Sequence, residues 1–173
     1  MHCDELEDDI EWTKEWGGIA IWRQRVGILI RKDRGHLSGI GGWGSRLVWG
    51  TWKRPGADDL VVSSCYIPAV SRERIDWIEG LLGEDILEEV GIDILGGDFN
   101  MIRDVTLDRT DGGAWQSGQS KGWERWKEVE RRHLLIDAGR AKWGDRRIYT
   151  HWTEGLGTRI DWILTADCWG MNV

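Results

Sequence analysis

Apolar and polar positions alternate in short bursts along this chain, and the period of the alternation changes several times. "GIAIW" and "VGILIRK" (26–32) are brief apolar runs with a turn between them, which predicts two strands. "RLVWGTWK" and "DLVVSSCYIP" predict two more, separated by "RPGAD", whose Pro-Gly pair suits a hairpin connection. Residues 35–45, "GHLSGIGGWGS", hold so many glycines that the reading there is a loop. The period then lengthens. Ile75, Ile78, Leu82 and Ile86 recur at helical spacing with charges between them, so 72–90 reads as an amphipathic helix with Ser71 as its N-cap. A strand "IDIL" follows, then a polar, glycine-bearing loop over 105–119. A second helix over about 120–133 sets Trp123, Trp126 and Val129 on one side. "RRIYTHW" and "TRIDWILT" close the chain as two strands. Near the start, "DELEDDIEWTKEW" (4–16) looks helical, with its acids early, where the helix dipole favours them.

Strands and helices are thus mixed, with hairpin-like connections and at least one strand–helix–strand crossing. That predicts an α/β protein with a mixed sheet or two sheets and helices outside. A doubly wound nucleotide-binding fold would need stricter alternation and a glycine-rich fingerprint after its first strand, and neither is present. The 173 residues are enough for a single domain, 1–173, with a real core. No repeat, low-complexity tract or linker divides them.

Composition narrows the partners. A hydrophobic content of 40% with 31% charged residues describes a globular chain and not a disordered one. No run approaches the roughly 18 apolar residues of a membrane span. The opening "MHCDELEDDIEW" is acidic where a signal peptide is basic and then apolar, so the expectation is an intracellular protein without a membrane partner. Cys3, Cys65 and Cys168 are odd in number and far apart, which predicts small buried hydrophobes and neither a disulfide framework nor a zinc site. A net charge of −7 argues against a simple polycation gripping nucleic acid. It leaves room for an enzyme acting on phosphodiesters, because a carboxylate-bound cation inverts the local field. Fourteen tryptophans beside one phenylalanine and two tyrosines allow stacking on bases or sugars, although many fall at positions that read as core.

The candidate chemistry lies at strand ends. In "DILGGDFNMIRD" (93–104) an apolar strand meets two glycines, and Asp98 and Asn100 then flank Phe99. A carboxylate there can hold a divalent cation or take a proton from water, and an amide can hydrogen-bond a phosphoryl oxygen. The bland alternative is a turn in which Asp98 or Asn100 bonds its own backbone. "CYIPA" puts Tyr66 at the end of another strand, "IYTHW" carries Thr150, and "GTRIDWIL" sets Asp161 among apolar neighbours. A carboxylate there is costly to bury unless a partner such as Arg159 meets it.

Taken in order, Y-x-P, G-D-F-N, Y-T-x-W and R-I-D-W resemble the endonuclease/exonuclease/phosphatase superfamily. The likeness is greatest to the apurinic-type endonuclease domain of non-LTR (LINE-type) retrotransposons, and it runs over nearly the whole chain. The resemblance implies a four-layer α/β sandwich, two mixed sheets with outer helices, and hydrolysis of a phosphodiester assisted by Mg2+ or Mn2+. By it, Asp98 orients or deprotonates the attacking water and contributes to the metal. Asn100 contacts the scissile phosphate, Tyr66 and Thr150 support substrate or site, and Asp161 holds a catalytic histidine. DNA is the implied partner, with a reverse-transcriptase domain downstream in a full-length element and a nuclear location for such a product. DNA nicking, abasic-site cleavage, and sphingolipid or inositol-phosphate hydrolysis all share the pattern.

The pattern is broken at both ends. In the family a strand ending in Gln-Glu supplies the main metal ligand, whereas this chain opens on Met1-His2-Cys3, and Glu5 and Glu7 do not match that motif. The family's closing Ser-Asp-His lies roughly two dozen residues beyond R-I-D, and none of His2, His36, His133 or His151 takes that place. The expectation is an inactive or strongly impaired, unstable chain. Two other readings stand beside it: a degenerate, non-catalytic retroelement remnant, and a Trp-rich binding module.

Overall fold

The computed structural model describes residues 18–113 and 117–167, so the helix expected over 4–16, Cys3 and Cys168 lie outside the described residues. Strands β1 (Gly18–Arg23) and β2 (Val26–Arg31) form an antiparallel hairpin. A six-stranded mixed sheet follows. Its strands are β3 (His36–Trp43), β4 (Leu47–Lys53), β5 (Leu60–Tyr66), β6 (Ile94–Asp98), β7 (Leu135–Asp137) and β10 (Asp161–Ala166), in the order β3-β4-β5-β6-β10-β7. β5 and β6 run parallel across a helical crossover, and the other pairs are antiparallel. A small hairpin, β8 (His151–Thr153) and β9 (Leu156–Thr158), stands apart from the sheet. The helices are α1 (Ser71–Gly83), α2 (Ile86–Val90), α3 (Ser117–His133) and α4 (Ala138–Trp143).

Alternation along the strands assigns the two faces of the sheet. Leu47, Cys65, Leu95, Trp162 and Leu164 point to one side, where they pack with Ile78 and Leu81 of α1 and Trp126 and Val129 of α3. On the other side Val48 and Tyr66 meet Ile21, Val26 and Ile28 of the β1–β2 hairpin. The α/β architecture expected from the sequence is therefore present: a mixed sheet, a smaller β-layer on one face and helices on the other. No helix among the described residues is long and apolar enough to cross a membrane.

Several elements differ from the sequence expectation. Residues 36–43 form strand β3, not a loop, and their glycines are packing requirements. A Cβ on Gly41 would lie 2.6 Å from the Trp49 ring, and one on Gly42 would lie 2.7 Å from the Leu47 carbonyl oxygen. Gly39, at φ +57°, absorbs a register shift between Ser38 and Gly41. The helix expected over 72–90 is two helices, because Asp85 sits at φ +47° between them. Val70, not Ser71, occupies the N-cap of α1. Ile78 is buried in α1 as expected, beside Arg74 and Leu81, while Ile75 and Leu82 of the expected stripe are half-buried. β7 and α4 went unforeseen, and most of "RRIYTHW" is an irregular turn from which β8 emerges.

Candidate active site

Three strand ends meet in one row. Tyr66 of β5 is the Cα partner of Asp98 in β6, and Asp98 is the partner of Asp161 in β10. Partners lie on the same face of a sheet, so the phenol and both carboxylates project together on the face opposite the helices. Gly97 makes this possible. Its φ is +151°, and a Cβ there would sit 1.9 Å from the Cys65 carbonyl oxygen. Strands β5 and β6 could not approach so closely with any side chain at 97.

The loop after Asp98 is fixed by its own polar groups. The Asn100 N–H donates to Asp98 Oδ1 at 2.8 Å, with Asn100 in the left-handed region at φ +49°. Its side-chain Nδ2 donates to the Ile67 carbonyl at 2.9 Å, and the Ile67 N–H donates to the Asp98 carbonyl at 2.9 Å. The Tyr66-Ile67-Pro68 turn and the G-D-F-N loop are thus stitched together, and one amide hydrogen of Asn100 stays available to a ligand. Phe99 points the other way, fully buried, stacked on Trp162 at 4.4 Å and edge-on to Trp126 at 5.1 Å. The motif therefore has an apolar anchor between two outward polar groups.

Thr150 fixes Asp161. Its hydroxyl oxygen accepts the N–H of Ile160 at 3.2 Å and of Asp161 at 3.1 Å, which sets the start of β10. Asp161 itself is exposed and forms no ion pair among the described residues, so the burial cost expected for it is not incurred. Arg159, offered by the sequence as its partner, turns away into a buried network. Its Nη2 donates to Asp137 Oδ1 and Oδ2 at 2.6 and 2.8 Å, and its Nη1 faces Asp108 at 3.6 Å. Arg140 also pairs with Asp108, and Arg103 bridges Glu130 at 2.9 Å and Asp137 at 3.5 Å. These buried pairs clamp β10, β7 and α4 to the loop that follows the G-D-F-N motif.

Asp98 is held above the ordinary carboxylate range. Burial is the main cause, the bond from Asn100 opposes it, the charge of Asp161 adds to it, and His151 and Arg74 counter it. His151 and Arg74 are the two neighbours that sequence reasoning missed. His151 lies next to the expected Thr150 but had been set aside for falling outside the family's histidine position. Arg74 is buried beneath the site with its Nε donating to the Pro68 carbonyl at 2.9 Å. The signal for it was present: an arginine four residues before Ile78 on the apolar stripe of α1.

Two carboxylates and an amide are hard oxygen donors, and the mutual charge of Asp98 and Asp161 is what a bound cation relieves. The set fits Mg2+ or Mn2+, which take one or two carboxylates and keep several waters. No cluster of three or more His, Cys, Asp or Glu that could hold a metal occurs among the described residues. A cleft of about 590 Å³ opens beside the row, lined in part by Asp98, Lys142, Trp143, Thr150, Asp161 and Ile163.

No protein-family model matches the chain, and no curated protein matches it. Solved structures do. An AP endonuclease from Archaeoglobus fulgidus is 17% identical with a TM-score of 0.65, covering 91% of this chain and 70% of its own. The AP endonuclease LMAP of Leishmania major is 15% identical with a TM-score of 0.59, over 76% of this chain. The endonuclease domain of TRAS1, a telomere-specific non-LTR retrotransposon, is 13% identical with a TM-score of 0.56, over 88% of this chain and 68% of its own. The chain spans about half the length, 49%, of the Leishmania protein. With the mixed sheet, the outer helices and these likenesses together, the chain shares the fold of these endonuclease structures.

Proposed function

We propose that this domain hydrolyses phosphodiesters of DNA with the help of a divalent cation, and that the Tyr66–Asp98–Asp161 row is its reacting centre. The observation that carries the reading is the register itself, which places a phenol and two carboxylates on one sheet face beside an amide locked by its own loop. The names of similar structures, two AP endonucleases and a retrotransposon endonuclease domain, favour DNA over the other phosphodiesters.

In this reading Asp98 accepts the proton of the attacking water. Its raised pKa makes it a better proton acceptor than an ordinary aspartate. The free amide hydrogen of Asn100 donates to a phosphoryl oxygen, and the Tyr66 phenol bounds the same space. Thr150 is a positioning residue that holds the backbone of Asp161. Asp98 and Asp161 would hold Mg2+ or Mn2+, which supplies charge neutralisation at the phosphate. Turnover is expected to be slow, because the described residues bring no third His, Cys, Asp or Glu to the cation.

The test is a single-turnover assay on an end-labelled DNA duplex with enzyme in excess, comparing Mg2+ with EDTA. Slow, metal-stimulated cleavage that falls at least ~100-fold in Asp98→Ala supports the reading. Cleavage that ignores the substitution, or none at stoichiometric enzyme, favours a non-catalytic remnant of the same fold.

A further inference from the structure

Many cations among the described residues face carboxylates, and three that do not stand together in the stretch that walls the cleft. Among the described residues Arg31, Lys53, Arg125, Lys127, Arg131 and Arg132 all face carboxylates. Lys142, Arg146 and Arg147 are exposed and form no such pair, although Asp145 lies within the same stretch. The segment has a built shape. Arg140 donates to the carbonyls of Gly144 at 3.1 Å and Arg146 at 2.9 Å, and the Arg146 N–H returns to the Trp143 carbonyl at 3.1 Å. Arg140 is itself anchored on buried Asp108. A tight turn is thereby held out from the domain, with its two arginines between Trp143 and Ile148, both of which line the cleft.

Aromatic faces accompany the charge. Trp143 is 47% exposed at the cleft wall with the Lys142 ammonium 6.0 Å from its ring, and Trp152 is 61% exposed, edge-on to Tyr149 at 5.6 Å. Trp126 and Trp162 are instead buried in the core, and Trp43, Trp49, Trp77 and Trp123 pack against it half-buried. The cleft volume of about 590 Å³ suits a group of nucleotide size. Exposed rings alternating with unpaired cations, continuous with a carboxylate row, form the pattern that binds an unpaired strand by stacking and phosphate contact.

We propose that residues 142–147 and the cleft they wall form a binding track for single-stranded DNA that leads the strand to the Asp98–Asp161 row. Trp143 stacks on a base flanking the reacting phosphate, and Lys142, Arg146 and Arg147 meet the phosphates beyond it. This rests on the phosphodiesterase reading of the row and adds the substrate form: the strand is unpaired where it crosses Trp143, because a duplex hides the base faces that the ring would stack on.

The test is anisotropy of a labelled oligothymidylate of about 12 nucleotides, titrated with the full chain in EDTA so that hydrolysis does not enter. Trp143→Ala is expected to weaken binding about tenfold or more. The triple variant Lys142→Gln/Arg146→Gln/Arg147→Gln is expected to weaken it and to flatten the plot of log K against log salt by about 2 units. Lys32→Gln/Arg72→Gln, which removes exposed charge elsewhere, is the control, expected to lose less than about threefold. Circular dichroism melts confirm that each variant is folded. Parent-like binding by both cleft variants overturns the proposal, as does a control that loses as much as the triple variant, or a duplex that binds more tightly than the single strand. Cleft-dependent binding without Asp98-dependent cleavage would sink the phosphodiesterase reading and leave the track standing. Asp98-dependent cleavage with cleft-independent binding would sink the track alone.

Discussion

Asp98 stands under opposed influences: burial and Asp161 disfavour its charge, while the Asn100 N–H, His151 and Arg74 favour it. The first group prevails, and the folded state therefore holds its proton more tightly than the unfolded chain does. Between the unfolded carboxylate pKa and the raised folded one, the native state binds more protons, so the contribution of Asp98 is fully present below the unfolded value and is lost as pH rises through the folded one. Asp98→Asn, which keeps an oxygen for the Asn100 N–H, should accordingly melt at a higher temperature than the parent at pH 7. The gap should close as pH falls to about 4. A lower melting temperature for the variant at pH 7 would contradict this balance. Gly97 is constrained for a different reason. At φ +151° and with the Cys65 carbonyl 1.9 Å from a Cβ position, Gly97→Ala should cost roughly 2–4 kcal/mol in urea unfolding, although a one-carbon change elsewhere is mild. Both constraints were half visible in the sequence: "GGD" announced a strand end, but which glycine was obligatory depends on the approach of β5.

Elements explain why the site is rigid. Asp137 ends β7, caps α4 by accepting the Arg140 N–H at 3.0 Å, and receives both bonds from buried Arg159. Burial pushes its carboxyl up, yet the bonds and charges from Arg159 and Arg103 outweigh that and hold it below the ordinary value. Its contribution is therefore present above the unfolded pKa and lost as pH falls through the folded one. Asp137→Ala leaves Arg159 buried without its main partner and should cost about 3–5 kcal/mol, whereas breaking the exposed Arg131–Glu128 pair should leave stability close to the parent's. Denaturant midpoints of the two variants check the contrast. The sequence could not show this clamp, because its members lie far apart in the chain and β7 is a three-residue strand with no periodic signal. Helix α3 was legible, since Trp126 and Val129 mark its buried stripe. β3 was not, because glycines chosen for packing look like glycines chosen for a turn.

At the scale of the molecule, three strand ends, one loop and one hairpin converge on a single sheet face. Tyr66, Asp98, Asn100, Thr150 and Asp161 were each legible as strand-end polar residues in a familiar order, and the structure brings them together. Arg74 shows in the sequence as an arginine on the apolar stripe of α1, but its nearness to Asp98, like that of His151, is set by how α1 and the hairpin pack. The same convergence yields a test of the whole account: the pH and Mg2+ dependence of plasmid nicking by the parent, Asp98→Asn and Asp161→Asn. If Asp98 takes the proton, the parent rate rises with pH as its carboxyl ionises, and Asp98→Asn falls at least ~100-fold. In Asp161→Asn the rate should fall and need more Mg2+ for half-maximal nicking, since one of the two carboxylates that would hold the cation is gone. A parent-like rate in Asp98→Asn, or an unmoved Mg2+ requirement in Asp161→Asn, would mean that this row of carboxylates is not where the phosphodiester is cut.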